Sequence, residues 1–257
     1  MSATTEGTGR AVPAADHALR ILELMAQQAG PVTAHAVATS LSLPRSSVYH
    51  LLGTLARRGF VVHLPDEHRW GLGIGAFELA GGFARQQPLA RLGRPLVASL
   101  VDRIGESAHL AVMSGRDVVY IVEERAPHRP TLVTDVGVRL PSHLTATGRA
   151  MLAGLPKEQV RALYPDASVF SDRTGRGPRT PGELRELLRQ ARLDGLAVEE
   201  GEVTLGFRSI AACVTDHTGW PAAAIAVTWD EDRPPARDDV ADLIRRTAAE
   251  LSRRIGG

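Results

Sequence analysis

Three short amphipathic helical patterns follow one another near the start of the chain, within residues 14–58. Apolar residues recur at spacings of three and four in each pattern, which places them on one buried stripe per helix. Gly30-Pro31 ends the first pattern, and Thr33 is a typical N-cap for the second. Only Ser42-Leu43 separates the second pattern from the third, and Pro44 occupies a first helical position, where proline is tolerated. This spacing predicts three helices with a tight turn between the last two.

Two short β-type runs come directly after the third helical pattern, at residues 60–63 and 69–72. The polar tip at 65–68 joins them as a hairpin. Three helices followed by a hairpin are the plan of a winged helix-turn-helix domain, which we place at residues 14–73. Residues 1–13 are small and polar and are predicted to be a disordered tail.

The third helix has a polar face whose composition suits contact with DNA. The chain is nearly neutral, with 30 basic and 29 acidic residues, but residues 41–64 hold three arginines and no acid. Arginine pairs well with guanine, serine and threonine pair with either donors or acceptors on base edges, and a helix N-terminus favours phosphate. Taken alone, such a face is equally typical of a solvated helix, but the turn and the hairpin favour DNA recognition. The predicted DNA-contacting residues are Arg45, Ser46, Ser47, Tyr49, His50, Thr54 and Arg57 on the helix and Arg69 on the wing. For Arg69, simple exposure is an equally good explanation.

The spacing of apolar residues changes after the hairpin. Residues 74–87 predict a linker helix of small residues, which Gly81-Gly82 weakens by about 1 kcal/mol per glycine. Helices mix with strand hairpins over residues 88–257, which predicts an α+β fold built on an antiparallel sheet. The predicted strands are 108–113, 118–123, 131–134, 196–199, 209–215 and 222–229, and the predicted helices are 89–104, 145–154, 157–163, 181–193 and 236–255.

The composition excludes several classes of protein. The single cysteine, Cys213, allows no intramolecular disulfide, suits a reducing compartment and is predicted to be a buried thiol rather than a redox centre. The longest apolar run, residues 221–227, is far shorter than the roughly 20 residues that span a bilayer. The N-terminus lacks the apolar core of a signal peptide, so a cytoplasmic protein with no membrane partner is expected. No HExxH, Cys/His cluster or G-x-S-x-G occurs, which predicts no metal, no cofactor and no serine-hydrolase chemistry.

Several separated motifs, in the right order, carry a resemblance to a known family. They are LSLPRSSVYHLLGTLARRGFV at 41–61, WGLG at 70–73, PSHLTATGRAMLA at 141–153, DGLAVEEGEVTLGFRSIAACVTD at 194–216 and AAIAVTW at 223–229. With these motifs the chain resembles the IclR family of bacterial transcriptional regulators from about residue 14 to its end. The resemblance implies a winged-helix domain, a linker helix, and an effector-binding and oligomerisation domain at 88–257 with a GAF-like or profilin-like sheet. It also implies a homodimer or homotetramer that binds double-stranded operator DNA and responds to a small-molecule effector.

The resemblance further implies an effector pocket between the helix at 145–154 and the later strands. Backbone amides at the start of that helix would hold a carboxylate, because a helix N-terminus favours negative charge. The residues that match the family's pocket are Leu132, Ala146, Thr147, Gly148, Glu199, Ser209, Ala226 and Thr228, with Arg129 on the covering loop. Glu199, Ser209 and Ala226 stand where glyoxylate-binding relatives have Asp, Cys and Ser. This departure favours a larger or less polar ligand, such as an aromatic acid.

Some assignments stay open at this point. Arg208 either supplies positive charge for an acidic ligand or forms a salt bridge with Glu200 or Glu202, and the salt bridge is favoured. His143 either caps the helix or contacts the ligand. A small-metabolite enzyme, or a sensor domain fused to a DNA-binding module, is the alternative to a regulator, although no paired nucleophile and base are visible in the sequence.

Overall fold

The structure, a computed structural model, describes residues 12–79, 88–130, 132–235 and 239–256. The chain divides into two compact units, Met1–Phe83 and Ala84–Gly257. The division lies within the predicted linker helix 74–87, of which residues 74–79 are helical and the rest lies outside the described residues. Of the predicted tail, residues 1–11 also lie outside them.

The first unit contains three helices and a two-stranded hairpin. Its elements are α1 (Pro13–Ala26), α2 (Ala34–Leu41), α3 (Arg45–Arg57), β1 (Val61–Leu64) and β2 (Arg69–Leu72), with a 3-10 turn at Pro65–Glu67 between the strands. The hydroxyl of Thr33 accepts a hydrogen bond from the amide of Ala36 at 3.1 Å and so caps α2. Ser42 ends α2 with a left-handed φ of 55°, which turns the chain sharply toward α3. Pro44 is the N-cap of α3, one position before the predicted one.

One apolar cluster joins the three helices of the first unit to its hairpin. Its fully buried members are Ile21, Val37, Val48 and Leu52. Trp70 on β2 exchanges two backbone hydrogen bonds with Val32, at 2.9 and 2.7 Å, and so joins the hairpin to the segment before α2. A Cβ added to Gly73 would lie 2.3 Å from the carbonyl oxygen of Gly59, so the exit from the hairpin requires glycine. These contacts hold the wing beside α3, and the predicted winged helix-turn-helix is confirmed.

The second unit is built on one six-stranded antiparallel sheet. Its elements are α4 (Pro88–Ile104), β3 (Ser107–Ser114), β4 (Asp117–Glu124), β5 (Arg139–Pro141), α5 (Ala146–Gly154), α6 (Lys157–Leu163), α7 (Pro181–Asp194), β6 (Ala197–Glu200), β7 (Phe207–Thr215), β8 (Pro221–Asp230) and α8 (Val240–Gly256). The strand order is β5-β4-β3-β8-β7-β6, and every neighbouring pair is antiparallel. The predicted α+β class is confirmed.

Helices cover both faces of this sheet. On β8 alternate residues enter two different apolar clusters, because side chains of a strand point to opposite faces in turn. Ile225 packs with α4 and α8, whereas Ala224 and Ala226 pack with α5. The small alanine side chains allow the backbone of α5 to lie close to the sheet. This close approach brings the first turn of α5 over the strands.

One predicted strand is wrong. Residues 132–134 form no strand, residue 131 lies outside the described residues, and the edge strand beside β4 is instead Arg139–Pro141. The sequence Thr-Leu-Val-Thr favours extended structure by its composition. The segment 132–134 contributes instead to the wall of a cavity.

Candidate DNA-reading surface and effector pocket

Helix α3 presents one buried and one exposed face. Val48, Leu52 and Leu55 are buried in the core of the first unit, as the apolar spacing predicts. All the predicted DNA-contacting residues of α3 are exposed except Ser47, which is half-buried, and the exposed fraction of Tyr49 is 57%. The face therefore offers hydroxyl, imidazole and guanidinium groups over its whole length.

Local hydrogen bonds order the polar side chains of α3. A guanidinium nitrogen of Arg45 lies 2.9 Å from Nδ1 of His35, which is on α2. Arg57 donates to the hydroxyl of Thr54 at 3.0 Å, and that hydroxyl donates to the carbonyl of His50 at 2.9 Å. Within the described residues, no carboxylate pairs with Arg45 or Arg57, so both guanidinium groups keep donors available for bases or phosphates.

Two residues near this face make contacts that the sequence did not predict. Arg69 on the wing donates to the carbonyl of Pro31 at 3.2 Å, so part of its hydrogen-bonding capacity serves the fold. His35, by contrast, contacts Arg45 on α3, a role that the pattern of the sequence does not assign to it. Its only signal was its place near the start of α2, the helix that precedes the turn.

A cavity of about 50 Å³ lies in the second unit where the start of α5 meets strands β6 to β8. It is lined by the predicted effector residues Leu132, Ala146, Thr147, Glu199, Ser209, Ala226 and Thr228. Gly148 does not line it: its amide donates to the hydroxyl of Thr145 at 3.0 Å, and an added Cβ would lie 2.3 Å from the backbone of Ser142. Gly148 therefore allows close packing rather than ligand contact.

The cavity wall also contains residues that the sequence did not single out. They are His109, Tyr120, Val133, Thr134, Thr145, Val203, Thr204 and Phe207. These residues add hydroxyl, phenol and imidazole groups to a wall whose accessible surface remains mainly apolar. The small volume argues against the larger ligand that the departures at Ser209 and Ala226 favoured.

The charged residues expected near the cavity are bound elsewhere. Arg129 pairs with the buried Glu106 and also donates to the carbonyl of Gly105 at 3.1 Å. Arg208 pairs with Glu200, which was the favoured alternative. His143 contacts the carbonyl of Ser171 at 3.0 Å, while Thr145 is the N-cap of α5. Among the lining residues, Glu199 is the one with a carboxyl group.

A continuous chain of hydrogen bonds runs along the cavity wall. Ser209 donates to Oε2 of Glu199 at 2.9 Å and lies 2.9 Å from the hydroxyl of Thr228. That hydroxyl lies 3.3 Å from Nε2 of His109, and Nδ1 of His109 lies 3.3 Å from the hydroxyl of Thr134. Neutral imidazole has one donor and one acceptor nitrogen. Since Ser209 donates to Glu199, the consistent arrangement has His109 donating from Nε2 and accepting from Thr134.

Burial sets the protonation states of His109 and Glu199, the two titratable groups in this chain of hydrogen bonds. It lowers the pKa of His109 to about 3, with a further contribution from Arg125, so the imidazole is neutral at physiological pH. Burial also raises the pKa of Glu199, against the opposing hydrogen bonds from the amide of Val203 and from Ser209. A neutral imidazole and a carboxylate that is easily protonated therefore face the same space.

Unpaired donors gather at the start of α5. The amides of Gly148 and Arg149 bond to Thr145, but among the described residues no acceptor pairs with the amides of Ala146 and Thr147. The Thr147 hydroxyl is buried without a hydrogen bond of normal geometry, next to the phenol of Tyr120. Burial raises the pKa of Tyr120, so the phenol stays protonated. Unpaired buried polar groups of this kind are typical of a site for an anion or an ordered water.

The buried side chain of Arg149 holds α5 in place against its neighbours. Arg149 on α5 donates to the carbonyls of His143 and Val198 at 2.8 and 2.7 Å, and it forms a 2.8 Å ion pair with Glu202. It thereby joins α5 to β6 and to the loop that follows β6. Removing either charge would leave the other buried and unpaired, which is costly.

Cys213 plays no part in the cavity. It is a free thiol on β7 and packs against the α5 side of the sheet. Burial raises its pKa to about 12, so the reactive thiolate is not formed at physiological pH.

Known families match both units of the chain. Residues 82–253 match the family described as bacterial transcriptional regulator IclR C-terminal, and residues 14–65 match the IclR helix-turn-helix domain. The chain belongs to the IclR family of bacterial transcriptional regulators. The predicted family, the predicted fold class and the predicted function as a DNA-binding transcriptional regulator with an effector-binding domain are confirmed.

Relatives and solved structures agree with this assignment. The IclR-family chain is 30% identical to the transcriptional repressor IclR of Escherichia coli K12 over 236 residues, covering 88% of this chain and 82% of the relative. A regulator from Alicyclobacillus acidocaldarius has the same fold, with a TM-score of 0.85 at 21% identity over 96% of this chain and 100% of that one. An IclR homolog from Microbacterium hydrocarbonoxydans, solved in complex with 4-hydroxybenzoate, has a TM-score of 0.79 at 20% identity over 94% and 98% of the two chains.

The described residues offer neither a membrane span nor a metal site. No helix in the described part of this IclR-family chain combines the length and the apolar character needed to cross a membrane. The same residues contain no group of three or more His, Cys, Asp or Glu side chains placed to hold a metal ion.

Proposed function

We propose that this IclR-family protein is an effector-responsive repressor, whose affinity for its operator changes when a small acid binds beside α5. The observation that supports this best is that Ala146 and Thr147, two residues that line the cavity, have unpaired backbone amides, and that the Thr147 hydroxyl is buried without a hydrogen bond of normal geometry. Helix N-terminal amides bind anions without needing a cation. The repressor names of its relatives favour repression over activation.

The chemistry of the cavity narrows the effector class. We infer a small carboxylate that also carries a hydroxyl group or a hydrated carbonyl group. Its carboxylate would accept from the amides of Ala146 and Thr147, and its hydroxyl would donate to Glu199 on the opposite wall. A cavity of about 50 Å³ admits only a few heavy atoms. An aromatic acid, such as the 4-hydroxybenzoate held by a structural neighbour, would require the wall of the cavity to move outward.

The exposed face of α3 is the proposed DNA-reading surface, with Arg45 near its start. One recognition helix reads too few base pairs to select one site in a genome. We therefore propose a dimer, or a pair of dimers, on a near-palindromic operator. Ile74, Phe77 and Leu79 have exposed fractions of 66, 74 and 65%, and a second copy of the chain would cover them. Phe83, which the sequence also suggested, lies outside the described residues.

The alternative of a small-metabolite enzyme finds little support in the cavity. Ser209 and His109 both line it, but Thr228 lies between them, and Ser209 donates to Glu199 rather than to the imidazole. With a pKa of about 3, His109 is also a poor general base at neutral pH. We therefore propose a regulator without catalytic activity, which acts in the cytoplasm, where its operator lies.

A paired measurement on the full chain tests this function. Thermal shift with glyoxylate, lactate and 4-hydroxybenzoate identifies an acid that binds, and a mobility shift with the DNA upstream of its own gene then measures operator affinity with and without that acid at constant ionic strength. We expect sequence-specific binding that at least one acid weakens. The proposal is wrong if no sequence-specific complex forms, or if an acid stabilises the protein without changing its affinity for DNA.

A further inference from the structure

A second cavity, of about 530 Å³, lies between α6 and α7. It shares no residue with the cavity beside α5. Five cations line it, with no acidic residue among the lining side chains: Lys157, Arg161, Arg185, Arg189 and Arg192. In a chain with a formal net charge of +1, this is a strong local concentration of positive charge.

Most of these cations lack a carboxylate partner. Arg189 pairs with Glu186, with one contact at 2.9 Å, and Arg192 donates to the carbonyl of Ala153 at 2.7 Å. Lys157, Arg161 and Arg185 form neither an ion pair nor a side-chain hydrogen bond with any described residue. Unpaired like charges around one cavity repel one another, and a bound anion would remove that repulsion.

The rest of the lining is apolar except for the phenol of Tyr164, which donates to the carbonyl of Arg116. Leu184 and Leu188 form the floor and are each only 1% exposed, so the floor is closed and the ligand would not enter the core. A ligand would instead pack against Pro165, Pro181 and the aliphatic stems of the arginines. Guanidinium groups also stack on aromatic rings, which favours a flat ligand body.

We propose that the cavity between α6 and α7 is a second ligand site, which binds an aromatic organic anion bearing a carboxylate or a phosphate. Its volume lies in the range of about 300–1,000 Å³ that is usual for small-molecule sites. DNA backbone, by contrast, is bound along an extended row of cations rather than inside a cavity. This site does not depend on the proposed effector cavity, which is too small for a fused aromatic ring system.

Fluorescence titration of the full chain with three naphthalene probes tests the proposal. We expect 1-naphthyl phosphate and 1-naphthoate to bind saturably at low salt, and 1-naphthol to bind roughly tenfold more weakly because it has no anionic group. Comparison of the phosphate with the carboxylate identifies the preferred anion. The double variant R161Q/R185Q replaces both guanidinium groups with shorter, neutral amides, and it should lose roughly tenfold in affinity. Added salt should weaken binding to the native protein.

Matched variants separate this site from others. Arg91→Gln removes an exposed arginine from α4, away from the cavity, and should leave affinity for 1-naphthyl phosphate unchanged. Thr147→Val alters the proposed effector cavity and should also leave it unchanged; if it abolishes binding, the probe occupies that cavity and this proposal is wrong. Equal binding of 1-naphthol, full affinity in R161Q/R185Q, or no saturable binding would each overturn it. Loss of operator affinity in R161Q/R185Q, with no binding of the probes, would assign the cations to DNA instead.

Discussion

The DNA-reading face of α3 and the cavity beside α5 are built in opposite ways. The face uses residues from one stretch of thirteen, and nearly all of them are exposed. The cavity draws its wall from residues as far apart in the chain as His109 and Thr228, and both of these are buried. Helical periodicity alone brings the residues of the face together, whereas the residues of the cavity wall come together only when the sheet has formed. Substitutions on the face should therefore change binding alone, while substitutions around the cavity should also change folding.

Gly148→Ala should show the largest effect, because it tests how closely α5 lies against its neighbours. The added Cβ would lie 2.3 Å from the Cα and carbonyl oxygen of Ser142, and backbone atoms cannot move aside as a flexible side chain does. We expect the free energy of unfolding to fall by roughly 3 kcal/mol or more. Urea denaturation followed by circular dichroism measures this loss.

Gly182→Ala is the matched control for this substitution. Gly182 lies in the first turn of α7, where an added Cβ would meet only ordinary contacts at 3.7 Å and beyond. Stability should stay the same or rise slightly, because alanine is the better helix former. Equal stability of the Gly148→Ala variant and the native protein would show that α5 has room to move, and the close packing of Gly148 against Ser142 would not be needed for stability.

The second prediction concerns pH, because His109 is buried in its neutral form. Its pKa of about 3 lies below the ordinary value of 6.5, so the unfolded chain takes up a proton below pH 6.5 while the folded chain does not. Stability that is present above pH 6.5 is therefore lost as the pH falls toward 3. Between pH 7 and 4.5, we expect the unfolding free energy of the native protein to fall by about 2–3 kcal/mol more than that of His109→Gln.

The pH comparison has an internal check. Glu199 has a raised pKa, so its contribution has the opposite sign: stability is lost as the pH rises through the range above its unfolded value of 4.5. Both proteins keep Glu199, so the difference between them reports His109. Parallel curves for His109→Gln and the native protein would mean that His109 is not held neutral by burial.

These contrasts also explain which parts of the fold and of the cavity could be predicted from the sequence. The three helices of the first unit, the cap at Thr33 and the hairpin follow from spacing and turn residues, because each depends on neighbours in the chain. His109 and Thr134 could not be found in that way. The sheet is covered on both faces, so the first five residues of β3 are all buried and polar positions do not alternate with apolar ones.

Competition between tertiary contacts accounts for the remaining errors. Residues 131–134 have a strand-like composition, yet the edge of β4 pairs with Arg139–Pro141. Arg129 was expected near an acidic ligand, but the buried Glu106 binds it instead. In both cases the local pattern permits two partners, and the sequence does not state which partner lies closer in the fold.

The third prediction tests the exposed DNA-reading face of α3. Arg45→Ala should weaken operator binding by about 1–3 kcal/mol, because it removes a guanidinium group near the start of the recognition helix. The unfolding free energy should change by no more than about 0.5 kcal/mol, because the side chain is exposed. A mobility shift and urea denaturation on the same preparation measure the two effects. Arg103→Ala, an exposed arginine on α4, should change neither, and an Arg45→Ala variant with full operator affinity would remove Arg45 from the DNA-reading surface.

Thr147→Val should have the smallest effect on stability, and the sign of that effect is informative. Valine has nearly the shape of threonine, and the Thr147 hydroxyl is buried without a hydrogen bond of normal geometry. Replacing an unsatisfied buried hydroxyl with a methyl group should raise the unfolding free energy by up to about 1 kcal/mol. The same change should weaken binding of whichever acid shifts the melting temperature of the native protein, because a ligand is the partner that the hydroxyl lacks.

Thr145→Val is the contrasting variant. The native Thr145 hydroxyl caps α5 by accepting a hydrogen bond from the amide of Gly148 at 3.0 Å, so its loss should lower the free energy of unfolding by about 1 kcal/mol. If Thr147→Val instead lowers stability as Thr145→Val does, the hydroxyl is satisfied within the protein by the phenol of Tyr120, and Thr147 offers no unpaired hydroxyl to an effector.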